Sequence, residues 1–199
     1  MKNNQSGRSM VEMLGVLAII GVLSAGGLAG YSKAMFKHKL NSTMDQITML
    51  VTNIRTMYGT QGNYAGLNNG SAVNLGIVPA VMDNGSGSGA ARGLSNPFKG
   101  EVSIIALKAD NNGTTAITDA TATAFAVTYT KLPKEACIAL ATSDFGSGAG
   151  SGFIGVTIGG VATNVIGTNE GKAKTMTEAL AAQADGGCYE QATVSWKFY

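Results

Sequence analysis

The sequence is poor in residues that carry out chemistry. Among 199 residues there are one histidine, two cysteines, three prolines and one tryptophan, and only 13% are charged, against roughly 25% in ordinary soluble domains. The lone His38 lies between Lys37 and Lys39 and reads as a solvated residue. A catalytic triad or a His-based metal site needs partners that this chain does not supply. There is no CxxC, no helix with paired carboxylates beside a histidine, and no cluster with metal-ligand spacing, so the sequence points to no catalytic residue, no metal and no cofactor. A formal charge of +2 is too small for the concentrated basic face that nucleic-acid binding requires. Strong hydrophobic runs and low net charge exclude wholesale disorder.

Charge is absent altogether from Met13 to Ser32. Those residues, at ~1.5 Å each, match roughly the 30 Å hydrocarbon thickness of a bilayer. Ser24-Ala25-Gly26 offers a cleavage site of the secretory type, but the helical pattern continues beyond it. Glu12 stands at the threshold of the run, and a carboxylate there is a functional candidate, since carrying one to a bilayer centre costs ~2.5–3.5 kcal/mol. Before it comes a short polar leader with Lys2, ending Gly7-Arg8-Ser9-Met10-Val11-Glu12. A basic leader, a Gly, a Glu five residues later and an uninterrupted apolar helix resemble the class III prepilin signal. That resemblance implies cleavage between Gly7 and Arg8 by a prepilin peptidase at the cytoplasmic face, and N-methylation of Arg8. Here the sequence departs from the family, whose mature chains usually begin with Phe, Met or another apolar residue.

Past Ser32 the apolar residues become periodic. Phe36, Leu40, Met44, Ile47, Val51, Ile54 and Tyr58 follow spacings of three and four, one face of an α-helix. Lys37, Lys39, Asn41, Asp45, Thr52, Asn53 and Arg55 fall on the other face, and Gly59 and Gly62 end the pattern. Ser9 to Tyr58 is thus expected to form one helix of about 75 Å, apolar all round at first and amphipathic later. Lysines flank both ends of the apolar run, so the positive-inside rule gives no orientation.

Downstream, NNGS at 68–71 and DNGSGSG at 83–89 read as loop, and the apolar residues of Val73–Val81 tack that loop onto a surface. Asn96-Pro-Phe-Lys-Gly100 reads as a turn, as does Asp110-Asn-Asn-Gly113. Strands are expected at Val102–Leu107, Ala124–Tyr129, Phe153–Ile158 and Val194–Tyr199. Two short helices interrupt them: one opened by Pro133 over KEACIALAT, and one over EALAAQA behind the capping box Thr175-Met-Thr-Glu178. Cys137 lies in the first and Cys188 just after the second. An even count, no CxxC and an exported domain favour a disulfide between them, which requires an oxidising compartment and places that domain outside the cytoplasm. Gly150-Ser-Gly-Phe-Ile-Gly155 fits G-x-G-x-x-G, but it enters a strand where a dinucleotide site would open a helix.

Three further stretches narrow the resemblance. Asn96-Pro-Phe-Lys-Gly-Glu101, Thr130-Lys-Leu-Pro-Lys-Glu-Ala-Cys-Ile-Ala-Leu-Ala-Thr142, and the end from Ala182 through Cys188 to Tyr199 are similar to type IVb pilins, most of all the bundle-forming group. The resemblance implies an α+β fold in which a long N-terminal helix packs on an antiparallel sheet, with a disulfide-stapled C-terminal region. It divides the chain into a prepilin leader (1–7), a transmembrane and filament-core helix (8–32), and a globular domain including the rest of the helix (33–199). It implies the major structural subunit of a type IVb pilus, a fimbrium supporting adhesion or aggregation. The partners implied are copies of itself in a helical filament, the prepilin peptidase, the pilus assembly machinery, and the inner membrane before assembly. In the filament core Glu12 would form a charge pair with the mature amine of a neighbouring copy. A minor pilin or type II secretion pseudopilin shares the signal and helix, and a membrane-anchored exported enzyme or binding domain is the remaining alternative.

Overall fold

In a computed structural model the chain is described over residues 10–109, 116–145, 152–159, 173–181 and 186–199. The Gly7–Arg8 junction, the turn expected at 110–113, and residues 182–184 of the expected EALAAQA helix fall outside these ranges. Two compact units are present, Met1–Lys39 and Leu40–Tyr199. Helix α1, Met10–Tyr58, runs without interruption through the apolar and amphipathic stretches. Within the second unit its inward face is Thr43, Ile47, Leu50, Val51, Ile54 and Tyr58, with Leu40 and Met44 packed alongside.

That face lies against a five-stranded antiparallel sheet of order β1-β2-β3-β5-β4. The strands are β1 (Leu94–Ser95), β2 (Glu101–Leu107), β3 (Ala124–Leu132), β4 (Phe153–Ile158) and β5 (Ala192–Phe198). Period-two alternation sends Val102, Ile104 and Ala106 inward from β2, opposite Tyr129, Val127 and Phe125 of β3. Central β3 and β5 pair from Phe125↔Phe198 to Tyr129↔Val194. A register shift between Tyr129 and Leu132 interrupts that ladder, and Lys131 sits there at a φ of 55°, the signature of a bulge.

Aromatic residues make up only 7% of the chain, yet many of them form one connected line through this core. Tyr58 meets Tyr64 at 5.8 Å and Tyr64 meets Phe125 at 4.8 Å between ring centroids. Phe125 stacks on Phe198 at 5.5 Å, and Phe198 contacts Phe153 at 5.4 Å. Phe145 then joins Phe153 to Trp196, which packs edge-on against Tyr129. Such pairs add ~0.5–1.5 kcal/mol each beyond area burial, so the few aromatics are concentrated where helix and sheet meet.

Helix α3, Lys134–Ala141, takes Pro133 as its N-cap residue, and α4, Met176–Ala179, carries the expected capping box between Thr175 and Glu178. The α4 helix is shorter than the EALAAQA pattern, with Leu180 as its C-cap residue. Cys137 and Cys188 form a disulfide, with Cα atoms 5.8 Å apart across a sequence separation of 51. The staple joins the buried face of α3 to the chain after α4.

The region read as loop holds more structure than its composition indicated. Residues Asn69–Asn74 form helix α2, entered through a capping box between Asn68 and Ser71. Ala72, Ile77 and Met82 are fully buried, so the segment contributes to the core as well as lying over it. Asn69 explains why a helix forms here. Its side-chain Nδ2 donates to the carbonyls of Arg92 (2.8 Å) and Val102 (3.0 Å), and its Oδ1 accepts from the Ile104 amide (2.8 Å). Where β1 ends, one amide side chain therefore continues the pairing that β2 would otherwise lack, shielding an exposed edge. Asn69→Leu removes three hydrogen bonds to backbone groups, and each group left unsatisfied where buried costs ~1–3 kcal/mol. We expect it to lower stability by about 3 kcal/mol or more, measured as the urea midpoint of the detergent-solubilised chain. An unchanged midpoint would refute the edge-cap role.

The rest of that region is a clasp. Arg92 donates from Nε and Nη2 to both oxygens of Asp83, at 2.8 and 2.6 Å. This hydrogen bond from Arg92, assisted by the Gly85 amide, holds the Asp83 carboxyl below the usual carboxylate range. A depressed acid contributes stability above its unfolded value and loses it only as pH falls through the lowered folded one, so the clasp persists through mild acidification. The turn at Asn96–Gly100 closes through the Asn96 amide on the Gly100 carbonyl. A β-carbon at Gly100 would strike the Thr130 carbonyl, which explains why glycine ends this turn.

Candidate assembly helix

The first half of α1 is apolar all round. Its most apolar window has a mean hydropathy of 2.1 and no buried residue. Leu14, Leu17, Val22 and Leu23 are each more than 60% exposed. Exposed apolar surface on this scale marks a membrane or protein contact. Five glycines (Gly15, Gly21, Gly26, Gly27 and Gly30) lie within this stretch, and a β-carbon on any of them would meet nothing within 4 Å among the described residues. Each costs ~0.5–1 kcal/mol relative to alanine in a helix. Among the described residues no contact repays that cost, whereas small residues let apolar helices from separate chains approach closely.

Glu12 lies in the first turn of α1, where a carboxylate complements the helix dipole. Gly15, Val16 and Ile19 follow on the same face at i+3, i+4 and i+7. Among the described residues no side-chain hydrogen bond or ion pair engages its carboxylate. Arg8, the other half of the expected assembly chemistry, lies outside the described residues together with Gly7. His38 is exposed, and no group of three His, Cys, Asp or Glu among the described residues is arranged to hold a metal.

The second half of α1 corrects two sequence assignments. Asn53 and Arg55, placed on the solvent face by periodicity, are half-buried. Asn53 Nδ2 donates to the Ile77 carbonyl at 2.9 Å, fixing the long connection against the helix. Arg55 Nε donates to the Tyr199 carbonyl at 3.2 Å, and its guanidinium lies 5.4 Å from the Phe198 ring centroid, within cation–π range. Burial raises the Tyr64 hydroxyl pKa, and the same guanidinium partly offsets that rise. A period of 3.6 identifies a face but cannot tell a solvated polar residue from one that bonds a distant backbone.

An uncovered apolar half-helix joined to a stapled α+β domain can anchor in lipid or bundle with like helices. Residues 37–198 match the family described as PilS N-terminal. The chain belongs to this family, among the type IVb pilins. It is 29% identical over 159 residues to the major structural subunit of bundle-forming pilus from Escherichia coli O127:H6 (strain E2348/69 / EPEC), covering 80% of this chain and 74% of that one. The protein of the same description from Escherichia coli O111:H- is 28% identical over 148 residues, 74% of this chain and 69% of the other. Two solved structures are also similar. A type IV b pilin from Salmonella typhi has a TM-score of 0.47 at 16% identity, covering 78% of this chain and 97% of that one. TcpA, a type IV pilin from Vibrio cholerae El Tor biotype, has a TM-score of 0.46 at 18% identity, with 81% and 99% covered. The antiparallel sheet, the long apolar helix and the C-terminal disulfide of this pilin agree with the fold expected from its sequence.

Proposed function

We propose that this pilin is the major structural subunit of a type IVb pilus, assembled into a filament through the apolar half of α1. The observation carrying this reading is the similarity to the bundle-forming pilus subunits over about three-quarters of this chain. The wholly exposed apolar helix gives it a physical basis. Before assembly the helix spans the inner membrane with the globular domain outside the cytoplasm, where its disulfide forms. After extraction by the pilus assembly machinery the same surface is buried against neighbouring helices. Prepilin peptidase removes residues 1–7 and methylates the new amine of Arg8. In the filament core that amine pairs with Glu12 of an adjacent copy. Surface-exposed filaments then support adhesion or aggregation.

Intact-mass and N-terminal analysis of filaments sheared from cells tests this reading. We expect this chain to be the predominant protein, beginning at Arg8 with one added methyl group. Retained Met1, or a start after Ala25, would discard the processing scheme. A trace quantity in filaments built from another protein would reassign it to the minor pilins.

A further inference from the structure

Asparagine is followed by glycine at Asn69-Gly70, Asn84-Gly85 and Asn112-Gly113. The pairing has a chemistry of its own. Glycine has no β-carbon to shield its amide nitrogen and restricts the backbone least, so that nitrogen can reach the preceding side-chain carbonyl and close a five-membered ring. Asn112-Gly113 lies outside the described residues. The other two pairs sit in opposite surroundings. Asn69 is buried at the start of α2. Its amide nitrogen donates to the Arg92 and Val102 carbonyls, and its oxygen accepts from the Ile104 amide. A side chain fixed in this way cannot turn toward its own backbone or release ammonia to water.

Asn84, Gly85 and Ser86 are exposed, yet their arrangement is defined. The Asn84 amide donates to the Gly93 carbonyl at 3.2 Å, and the Gly93 amide to the Ser86 carbonyl at 2.8 Å. A β-carbon at Gly93 would strike the Asn84 carboxamide, so that side chain lies against the returning chain. Asn84 Oδ1 accepts from the Ser86 amide at 3.0 Å and from the Ser86 hydroxyl at 2.6 Å. The Gly85 amide donates to Asp83 Oδ1 at 3.1 Å, and Gly85 has a φ of 75°.

We propose that Asn84-Gly85 is a site of self-modification, where the Gly85 amide nitrogen attacks Asn84 Cγ and converts the residue to aspartate and isoaspartate. As the bond from Gly85 N to Cγ forms, the proton on that nitrogen is lost, with Asp83 Oδ1 within general-base reach. Negative charge develops on Asn84 Oδ1, where both Ser86 donors already point, as in an oxyanion hole. The Cγ–Nδ2 bond then breaks, and Nδ2 takes up a proton and leaves as ammonia. Water opens the succinimide at either of its carbonyls, giving aspartate or isoaspartate. One water enters, one ammonia leaves, and nothing is oxidised or reduced. Arg92 keeps Asp83 ionised, which makes it a constant acceptor for the proton but a weak base, so the reaction is slow. The product adds a carboxylate to a loop whose one cation over residues 83–93, Arg92, already serves Asp83. This chemistry needs no filament and proceeds in the isolated chain.

The test is ageing of the detergent-solubilised chain at neutral pH, then digestion at mildly acidic pH and peptide mapping with fragmentation. Aspartate and isoaspartate should accumulate at position 84 and not at Asn69, and isoaspartate methyltransferase should label the product. In urea Asn69 should become reactive, while Asn84 should convert no faster than in the native chain. Ser86→Ala should slow conversion at Asn84 by about threefold to tenfold, less than the hundredfold an oxyanion donor supplies away from water. Ser86→Thr should keep the native rate, and Asn84→Gln should abolish the reaction, because its longer side chain would have to close a six-membered ring. An Asn84 that stays intact, or that converts faster in urea than in the native chain, overturns the proposal. So does an unchanged rate in Ser86→Ala, which would reduce the site to the ordinary reactivity of an exposed Asn-Gly pair.

Discussion

Replacing Cys137 and Cys188 together with alanine is expected to destabilise the globular domain by ~4 kcal/mol, the chain-entropy value for a loop of this length. The bond joins the two ends of a segment, 51 positions apart in sequence. That segment contains most of α3, all of β4 and α4, and the start of the return toward β5. A domain of this size has ~5–15 kcal/mol of stability in all, so the loss removes a large part of it. Alanine is the appropriate replacement because both sites are buried, and a serine hydroxyl there would add its own desolvation cost. The urea midpoint of the detergent-solubilised chain measures the effect, and reduction of the native protein should reproduce it. Cells should accumulate less of the double variant and make few filaments. A midpoint unchanged by both treatments would mean that sheet packing alone holds the C-terminal region.

Local pattern carried the strands and the long helix because each buries one continuous face. The expected strand at Val102–Leu107 lies within the observed Glu101–Leu107, and Phe153–Ile158 is reproduced as expected. Helix α2 was not legible for a physical reason. Asn68, Asn69, Gly70 and Ser71 are turn and cap residues by composition, and only the distant carbonyls of Arg92 and Val102 make Asn69 worth burying inside a helix. The two-residue strand β1 is likewise defined by its partners Val102 and Glu101. Arg55 was misplaced because its acceptor, Tyr199, is 144 residues away. The assembly helix was the reverse case. Its large apolar side chains are exposed, so among the described residues no packing modifies what the apolar run, the glycines and Glu12 already state in sequence.

Glu12→Gln is expected to abolish surface filaments while leaving the chain processed, membrane-anchored and disulfide-bonded. The substitution changes the charge and barely alters the size. A simple membrane anchor has no use for a carboxylate at the start of its span, and removing the charge would be neutral or would ease insertion. A bundle of apolar helices behaves differently, because each mature amine enters a region of low dielectric. Paired with Glu12 of a neighbour, it adds little net stability, since both groups lose their water. With glutamine in that place, the amine is buried without a counter-charge at a cost of about 3–5 kcal/mol. On the proposed reading the pair would act on register: an incoming copy would be accepted only at the height where its charge is neutralised. Glu12→Asp should restore filaments partly at best, because the shorter side chain reaches less far. Electron microscopy with quantified shearing, from cells making only the variant, gives the answer. Normal filament yield from Glu12→Gln would sink the register mechanism for this pilin, while leaving its place in the filament untouched.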